Sequence, residues 1–138
     1  MSVHHSGRCM CGDVTYQCNS EALDVKICHC KDCQKASGTA FSSVAFFPSS
    51  SVSVNGKPTS YATNGSTGLT VKRYFCPNCG SPLYSQLEEL PDLIFIKTGS
   101  LDDPDSLPPA GHMWWEHHLS WPNIVDDLEK LPGNPPLG

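Results

Sequence analysis

Cys76-Pro77-Asn78-Cys79-Gly80 is a C-x-x-C pair closed by glycine. Such a turn brings two sulfurs to one side of a tight loop. The first thiolate accepts backbone N–H groups of the turn, and the glycine permits its backbone. Two further clusters flank it at a distance: Cys9-Met10-Cys11-Gly12 and Cys28-His29-Cys30-Lys31-Asp32-Cys33. Seven of the eight cysteines lie in these three clusters, and Cys18 stands alone. A structural zinc site takes four ligands, with sulfur at about 2.3 Å. Two pairs drawn from distant parts of the chain close the longest loop. Cys9, Cys11, Cys76 and Cys79 are therefore the expected structural zinc ligands. Cys28, Cys30 and Cys33 are left as three, and three protein ligands with an open fourth position mark a catalytic zinc. The expected content is two zinc ions per chain. Two other divisions stay open: two closed four-thiolate sites with Cys18 completing the second, or a disulfide framework.

The rest of the chain suits a small metal-stapled protein. Its 138 residues make about one domain, read as a single zinc-binding domain over 1–138 with its core at about 7–123. Eight cysteines fall just short of the ~8–10% of a disulfide scaffold. The net charge of −5 argues against a nucleic-acid surface. No apolar run approaches the ~20 residues of a membrane span. The start, Met1-Ser2-Val3-His4-His5-Ser6, has no apolar stretch of a secretory signal. The expected location is the cytoplasm, where thiols stay reduced and serve as metal ligands or catalytic groups. His4 and His5 read as a disordered start.

Short alternating segments predict a mainly β fold. Strands are expected over 13–18, 25–28, 39–47, 51–54, 60–63, 70–75, 83–87, 93–98 and 112–118. Asn55-Gly56 predicts a hairpin joining 51–54 to 60–63, and Leu90-Pro91-Asp92 a second joining 83–87 to 93–98. One or two helical turns are expected over 31–37, ended by Gly38. The Pro/Gly-rich tail 131–138 reads as an extended strap or a frayed end.

Three thiolates on Zn²⁺ leave a net charge of −1, so bound water is less acidified than on three histidines. An exchangeable exogenous thiol suits such a soft site better than hydrolysis does. Lys31 and Lys35, with Lys26 and Arg8, are candidates for positive potential near it. His29 should point away from the sulfurs on either side. The segment with His112, Trp114, Trp115, His117, His118 and Trp121 is either core strand or pocket wall. No residue stands out as the acid or base beyond the zinc ligands. Two rival functions are a non-catalytic zinc-stabilised interaction module, which needs an exposed patch at Trp114 and Trp115, and a thiol redox or metal-handling protein.

The three clusters in their settings, Gly7-Arg8-Cys9-Met10-Cys11-Gly12, Cys28-His29-Cys30-Lys31-Asp32-Cys33-Gln34-Lys35 and Arg73-Tyr74-Phe75-Cys76-Pro77-Asn78-Cys79-Gly80-Ser81, resemble the glutathione-dependent formaldehyde-activating enzyme family, which includes centromere protein V. Gly99-Ser100-Leu101-Asp102-Asp103-Pro104 and Trp121 add to the resemblance. It implies a β-tent of small antiparallel sheets pinned by zinc. It implies a structural zinc on Cys9, Cys11, Cys76 and Cys79 and a catalytic zinc on Cys28, Cys30 and Cys33. The implied reaction joins formaldehyde to a thiol such as glutathione, giving an S-hydroxymethyl adduct. In reverse that is a carbon–sulfur lyase reaction.

Overall fold

The computed structural model describes residues 4–65 and 67–137. Its strands are β1 (His5–Arg8), β2 (Thr15–Cys18), β3 (Asp24–Cys28), β4 (Ser42–Pro48), β5 (Val52–Asn55), β6 (Thr59–Asn64), β7 (Thr70–Phe75), β8 (Pro82–Leu87), β9 (Leu90–Lys97), β10 (Gly111–Met113) and β11 (Glu129–Lys130). A helix, α1 (Lys31–Ser37), follows β3. It is ended by Gly38 in the left-handed region, whose N–H returns to the Gln34 carbonyl. No helix among the described residues is long and apolar enough to cross a membrane.

The strands form two sheets. One is small and antiparallel, in the order β1-β2-β5. The other has eight strands in the order β11-β10-β3-β4-β9-β8-β7-β6. It is mixed, because β10 runs parallel to both β3 and β11. The mainly β expectation is met, with one large mixed sheet beside the small antiparallel one.

Alternation along the central strands creates two apolar clusters, because successive side chains face opposite sides of a sheet. Ala45 and Phe47 of β4 and Ile94 and Ile96 of β9 pack into one cluster with Tyr16, Leu83, Cys9 and Cys76. Val44 and Phe46 of β4 and Phe95 of β9 pack into the other with Leu87, Met113, Cys28 and Cys33. Each cysteine cluster thus stands on its own apolar floor. Cys18 is buried in the first, and burial pushes its thiol up to about 11.

Four local expectations are corrected. Asn55-Gly56 does turn the chain, but it makes no hairpin. β5 pairs with β2, and β6 pairs with β7. The reason is burial: Val52 and Val54 pack on the first core, whereas β6 is almost wholly exposed. The β8–β9 hairpin turns at Glu88-Glu89, with Leu87 opposite Leu90, because Leu90 and Leu93 pack on the second core. The strand expected over 112–118 ends at Met113, and a 3₁₀ turn follows at Trp115–His117. The chain start is ordered from His4, whose amide donates to the Cys18 carbonyl at 2.9 Å. Residues 1–3 lie outside the described residues.

The tail is a strap. The Leu131 amide donates to the His112 carbonyl at 2.9 Å, and the Trp115 amide donates back to the Leu131 carbonyl at 2.9 Å. Gly138 lies outside the described residues.

Gly56 holds φ at +99°, and a Cβ there would collide with the Asp13 carbonyl oxygen. Gly56→Ala is expected to destabilise the protein by about 1–3 kcal/mol. A thermal melt should show a midpoint several degrees lower.

Candidate metal centres

The first centre joins the end of β1 to the end of β7. Cys9 donates its amide to the Val14 carbonyl at 3.0 Å, and its sulfur accepts the Val14 amide at 3.3 Å. Gly12 closes this turn at φ +84°. At the other half, the Gly80 amide reaches the Cys76 carbonyl at 2.8 Å, with Gly80 at φ +79°. Both turns need a residue in the left-handed region, which glycine enters without a Cβ penalty.

Ser81 ties the two halves together. Its hydroxyl oxygen accepts the Met10 amide at 2.9 Å and lies 3.2 Å from the Cys79 sulfur. Its proton is then free to donate to that sulfur. This hydrogen bond, helped by the Ser81 amide, brings the Cys79 thiol down to about 5. Burial pushes Cys9 up, but the Val14 amide and the neighbouring thiols outweigh it, and the net direction is down.

The sulfurs fit a metal rather than disulfides. The Cys9 and Cys11 sulfurs are 3.6 Å apart, and those of Cys11 and Cys76 are 3.7 Å apart. A disulfide needs about 2.05 Å. A tetrahedron of sulfurs at about 2.3 Å from zinc has edges of about 3.8 Å. All four sulfurs lie within 4.8 Å of one another.

The second centre is built at the β3–α1 junction. Cys28 ends β3, and Cys30 is the N-cap of α1, its sulfur accepting the Cys33 amide at 3.3 Å. Cys33 is buried in the first turn of α1. The three sulfurs lie within 4.8 Å of one another, and no fourth His, Cys, Asp or Glu among the described residues joins them. Cys18 completes neither centre. The Cys33 thiol is lowered because Cys28 and Cys30 donate to it, and because Lys97 and Arg73 stand near it. Cys28 is raised by the same sharing. Both clusters can hold a metal ion, and their all-thiolate donor sets are consistent with zinc.

A cavity of about 200 Å³ opens over the second centre. Val44, Phe46 and Phe95 line one side, and Arg73, Lys97 and His117 supply polar groups. Lys31 also reaches this cavity, but Lys26, Lys35 and Arg8 do not line it. Lys26 pairs with Asp24 at 2.9 Å instead. The cations that line the site are Lys31, Arg73 and Lys97. The alternation of β7 puts Arg73 on the same face as Val71, and Lys97 shares a face with Phe95. That periodicity was the available signal. The Arg73 Nη1 donates to Thr63 at 2.8 Å, Nη2 lies 4.0 Å from Asp32, and the buried Nε has no partner. The Lys97 ammonium donates to the Ser42 hydroxyl at 3.2 Å.

His29 points away from the sulfurs, into an aromatic cluster with His112, Trp115 and His118. Its Nε2 is 2.9 Å from His112 Nδ1, and His112 Nε2 is 3.0 Å from Asp126. The His112 hydrogen bond, with Lys130, holds the Asp126 carboxyl down to about 2. An ionised Asp126 requires the proton on His112 Nε2, so His112 Nδ1 accepts from His29 Nε2–H. The chain Asp126–His112–His29 therefore orients the loop between Cys28 and Cys30. Gln34 braces the same loop, donating to the carbonyls of His29 at 2.8 Å and His117 at 3.0 Å. Trp114 and Trp115 are half-buried and form no exposed apolar patch.

Two thiol clusters on separate apolar floors, one of four and one of three, define a small β protein with two candidate metal sites. Residues 4–117 match the sequence profile of the glutathione-dependent formaldehyde-activating enzyme family, and the chain belongs to that family. Two fungal proteins named for glutathione-dependent formaldehyde activation are similar to it. One, from Penicillium rubens, is 32% identical over 59% of this chain and 44% of its own length. The other, from Emericella nidulans, is 31% identical over 58% of this chain and 40% of its own length. The chain thus spans less than half of these curated relatives. A crystal structure of a Rhodobacter sphaeroides protein superposes with a TM-score of 0.56 at 25% identity, covering 70% of this chain and 87% of that one.

Two substitutions separate the roles of these groups. Cys76→Ser is expected to leave the chain unfolded by circular dichroism, because structural zinc contributes about 10–16 kcal/mol in small domains. Asp126→Ala should keep the metal content but cost about 1–3 kcal/mol in a denaturant titration, since it strands the buried His112 Nε2.

Proposed function

We propose that the chain is a zinc-dependent carbon–sulfur lyase that joins a small thiol to formaldehyde. Zinc held by Cys9, Cys11, Cys76 and Cys79 would be structural. A second zinc, held by Cys28, Cys30 and Cys33, would be catalytic. The observation that carries this reading is the three-thiolate cluster facing a cavity, with no fourth ligand from the described residues. The family name supplies the class of substrates: glutathione or a similar thiol, and an aldehyde. Seven cysteines serving as thiolate ligands would need a compartment that keeps thiols reduced, such as the cytoplasm.

Bound at the second centre, zinc would lower the pKa of a substrate thiol and hold its sulfur in place. The chain's own residues do the rest. Arg73 and Lys97 attract and orient an anionic thiol. Val44, Phe46 and Phe95 keep water from the aldehyde, which would otherwise sit as its hydrate. As the carbon–sulfur bond forms, the carbonyl π pair moves to oxygen, and the proton given up by the thiol ends there. His117 is the imidazole lining the cavity, and it is the group we assign to deliver that proton. The product is the S-hydroxymethyl thiol, with all atoms of both reactants.

Formaldehyde adds to thiols without a catalyst, so the test is a rate. Formaldehyde consumption with excess thiol is expected to exceed the uncatalysed background in proportion to zinc-loaded protein. Cys33→Ser should lose the second metal and all turnover while keeping the fold by circular dichroism. His117→Gln should retain both metals and lose about 10²-fold in kcat. Full activity in Cys33→Ser would overturn the proposal.

A further inference from the structure

Part of the wall of the cavity over the second centre comes from outside the residues that match the family profile. That profile ends at residue 117. Beyond it, residues 131–137 return to the cavity, where Asn134 and Leu137 are among the lining residues. The strap is fixed to the wall it covers. The Trp114 amide donates to the Gly133 carbonyl at 3.0 Å, and its indole Nε1–H donates to the Asn134 side chain at 2.7 Å. Trp114 holds φ at +57°, the left-handed region, and is the only described residue other than glycine to do so. Such a conformation costs about 1–3 kcal/mol and persists where surrounding contacts over-determine it. Here those contacts are the strap's. Trp114 stacks on His117, so the strap sets two walls of the cavity at once. Pro132, Pro135 and Pro136 stiffen it, and Leu137 packs against the second apolar cluster.

What remains under the strap is about 200 Å³. Cavities that enclose drug-sized molecules run about 300–1,000 Å³, and a tripeptide thiol such as glutathione is of that size. The charges point the same way. Among the described residues the buried Arg73 Nε has no partner, its Nη2 lies 4.0 Å from Asp32, and the Lys97 ammonium has only the Ser42 hydroxyl. Both cations line the same cavity as Cys28, Cys30 and Cys33. An anion that reaches them must be joined to the reacting sulfur by a short link. In a mercaptocarboxylate or mercaptosulfonate that link is two or three carbons. In glutathione the nearest carboxylate lies beyond a whole glycyl residue.

Resting on the proposed reaction, we infer that Asn134 and Leu137 select a short anionic thiol, a mercaptocarboxylate or mercaptosulfonate, over glutathione. The test uses the full-length, zinc-loaded chain with 2-mercaptoethanesulfonate and glutathione. Two quantities are read: kcat/KM with formaldehyde, and Kd by calorimetry without it. The short thiol should be preferred by at least about tenfold in both. Asn134→Ala/Leu137→Ala should raise the ratio of the glutathione values to those of the short thiol about tenfold. Leu137→Ser, which keeps every hydrogen bond of the strap, should move that ratio in the same direction and serves if the double variant unfolds. Equal values for the two thiols in the unmodified chain, or no rise of the ratio in either variant, would overturn the inference and leave the reaction standing. Selective binding of the short thiol with no turnover would do the reverse. Binding of neither thiol would overturn both.

Discussion

Four sulfurs from two distant parts of the chain lie within 4.8 Å of one another. Cys11 and Cys76 are 65 positions apart in sequence, and their sulfurs are 3.7 Å apart in space. Closing a loop of that length costs conformational entropy, and four ionisable thiols packed together repel as they lose protons. The divalent cation we propose there would offset both, on a scale of about 10–16 kcal/mol. Whole domains are net stable by only about 5–15 kcal/mol. A chain with short strands and a divided apolar core therefore depends on this centre. Ser81, which bonds to Met10 on one side and Cys79 on the other, sets the two half-turns in register.

The second centre inherits its position from that constraint. β4 and β9 send alternate side chains to two apolar clusters. The clamp sits on one, and Cys28 and Cys33 sit on the other. The same two central strands thus support both centres and keep them separate. Behind the second, the chain Asp126–His112–His29 holds the loop between Cys28 and Cys30 from its far side. The arrangement gives one cluster four thiols and the other three by architecture, not by local motif alone.

The local features were legible in the sequence, and the long-range ones were not. The four-plus-three grouping of cysteines needed only spacing and counting, because C-x-C and C-x-x-C pairs converge whatever surrounds them. Helix α1 and its Gly38 cap were legible for the same reason. The Asn55-Gly56 turn was legible, but a turn does not choose a partner. β5 joined β2 because Val52 and Val54 had a core to meet there, while β6 had no apolar face to bury. The parallel pairing of β10 with β3 had no local sign. Arg73 and Lys97 were passed over in favour of Arg8, Lys26, Lys31 and Lys35, of which Lys31 alone lines the cavity. The alternation of Arg73 and Lys97 with Val71 and Phe95 was the missed cue. The Pro/Gly composition of 131–137 said only that the segment was irregular, and gave no sign that it walls the cavity.

The central claim is that one metal centre is closed by four thiolates and the other is left open by three. X-ray absorption at the zinc edge of the fully loaded chain counts sulfurs around the metal directly. With seven cysteines shared between two ions, the account predicts a mean of three and a half sulfurs per zinc, rising to four when an exogenous thiol is added. Four sulfurs per zinc before any thiol is added, or a count that added thiol does not change, would contradict it.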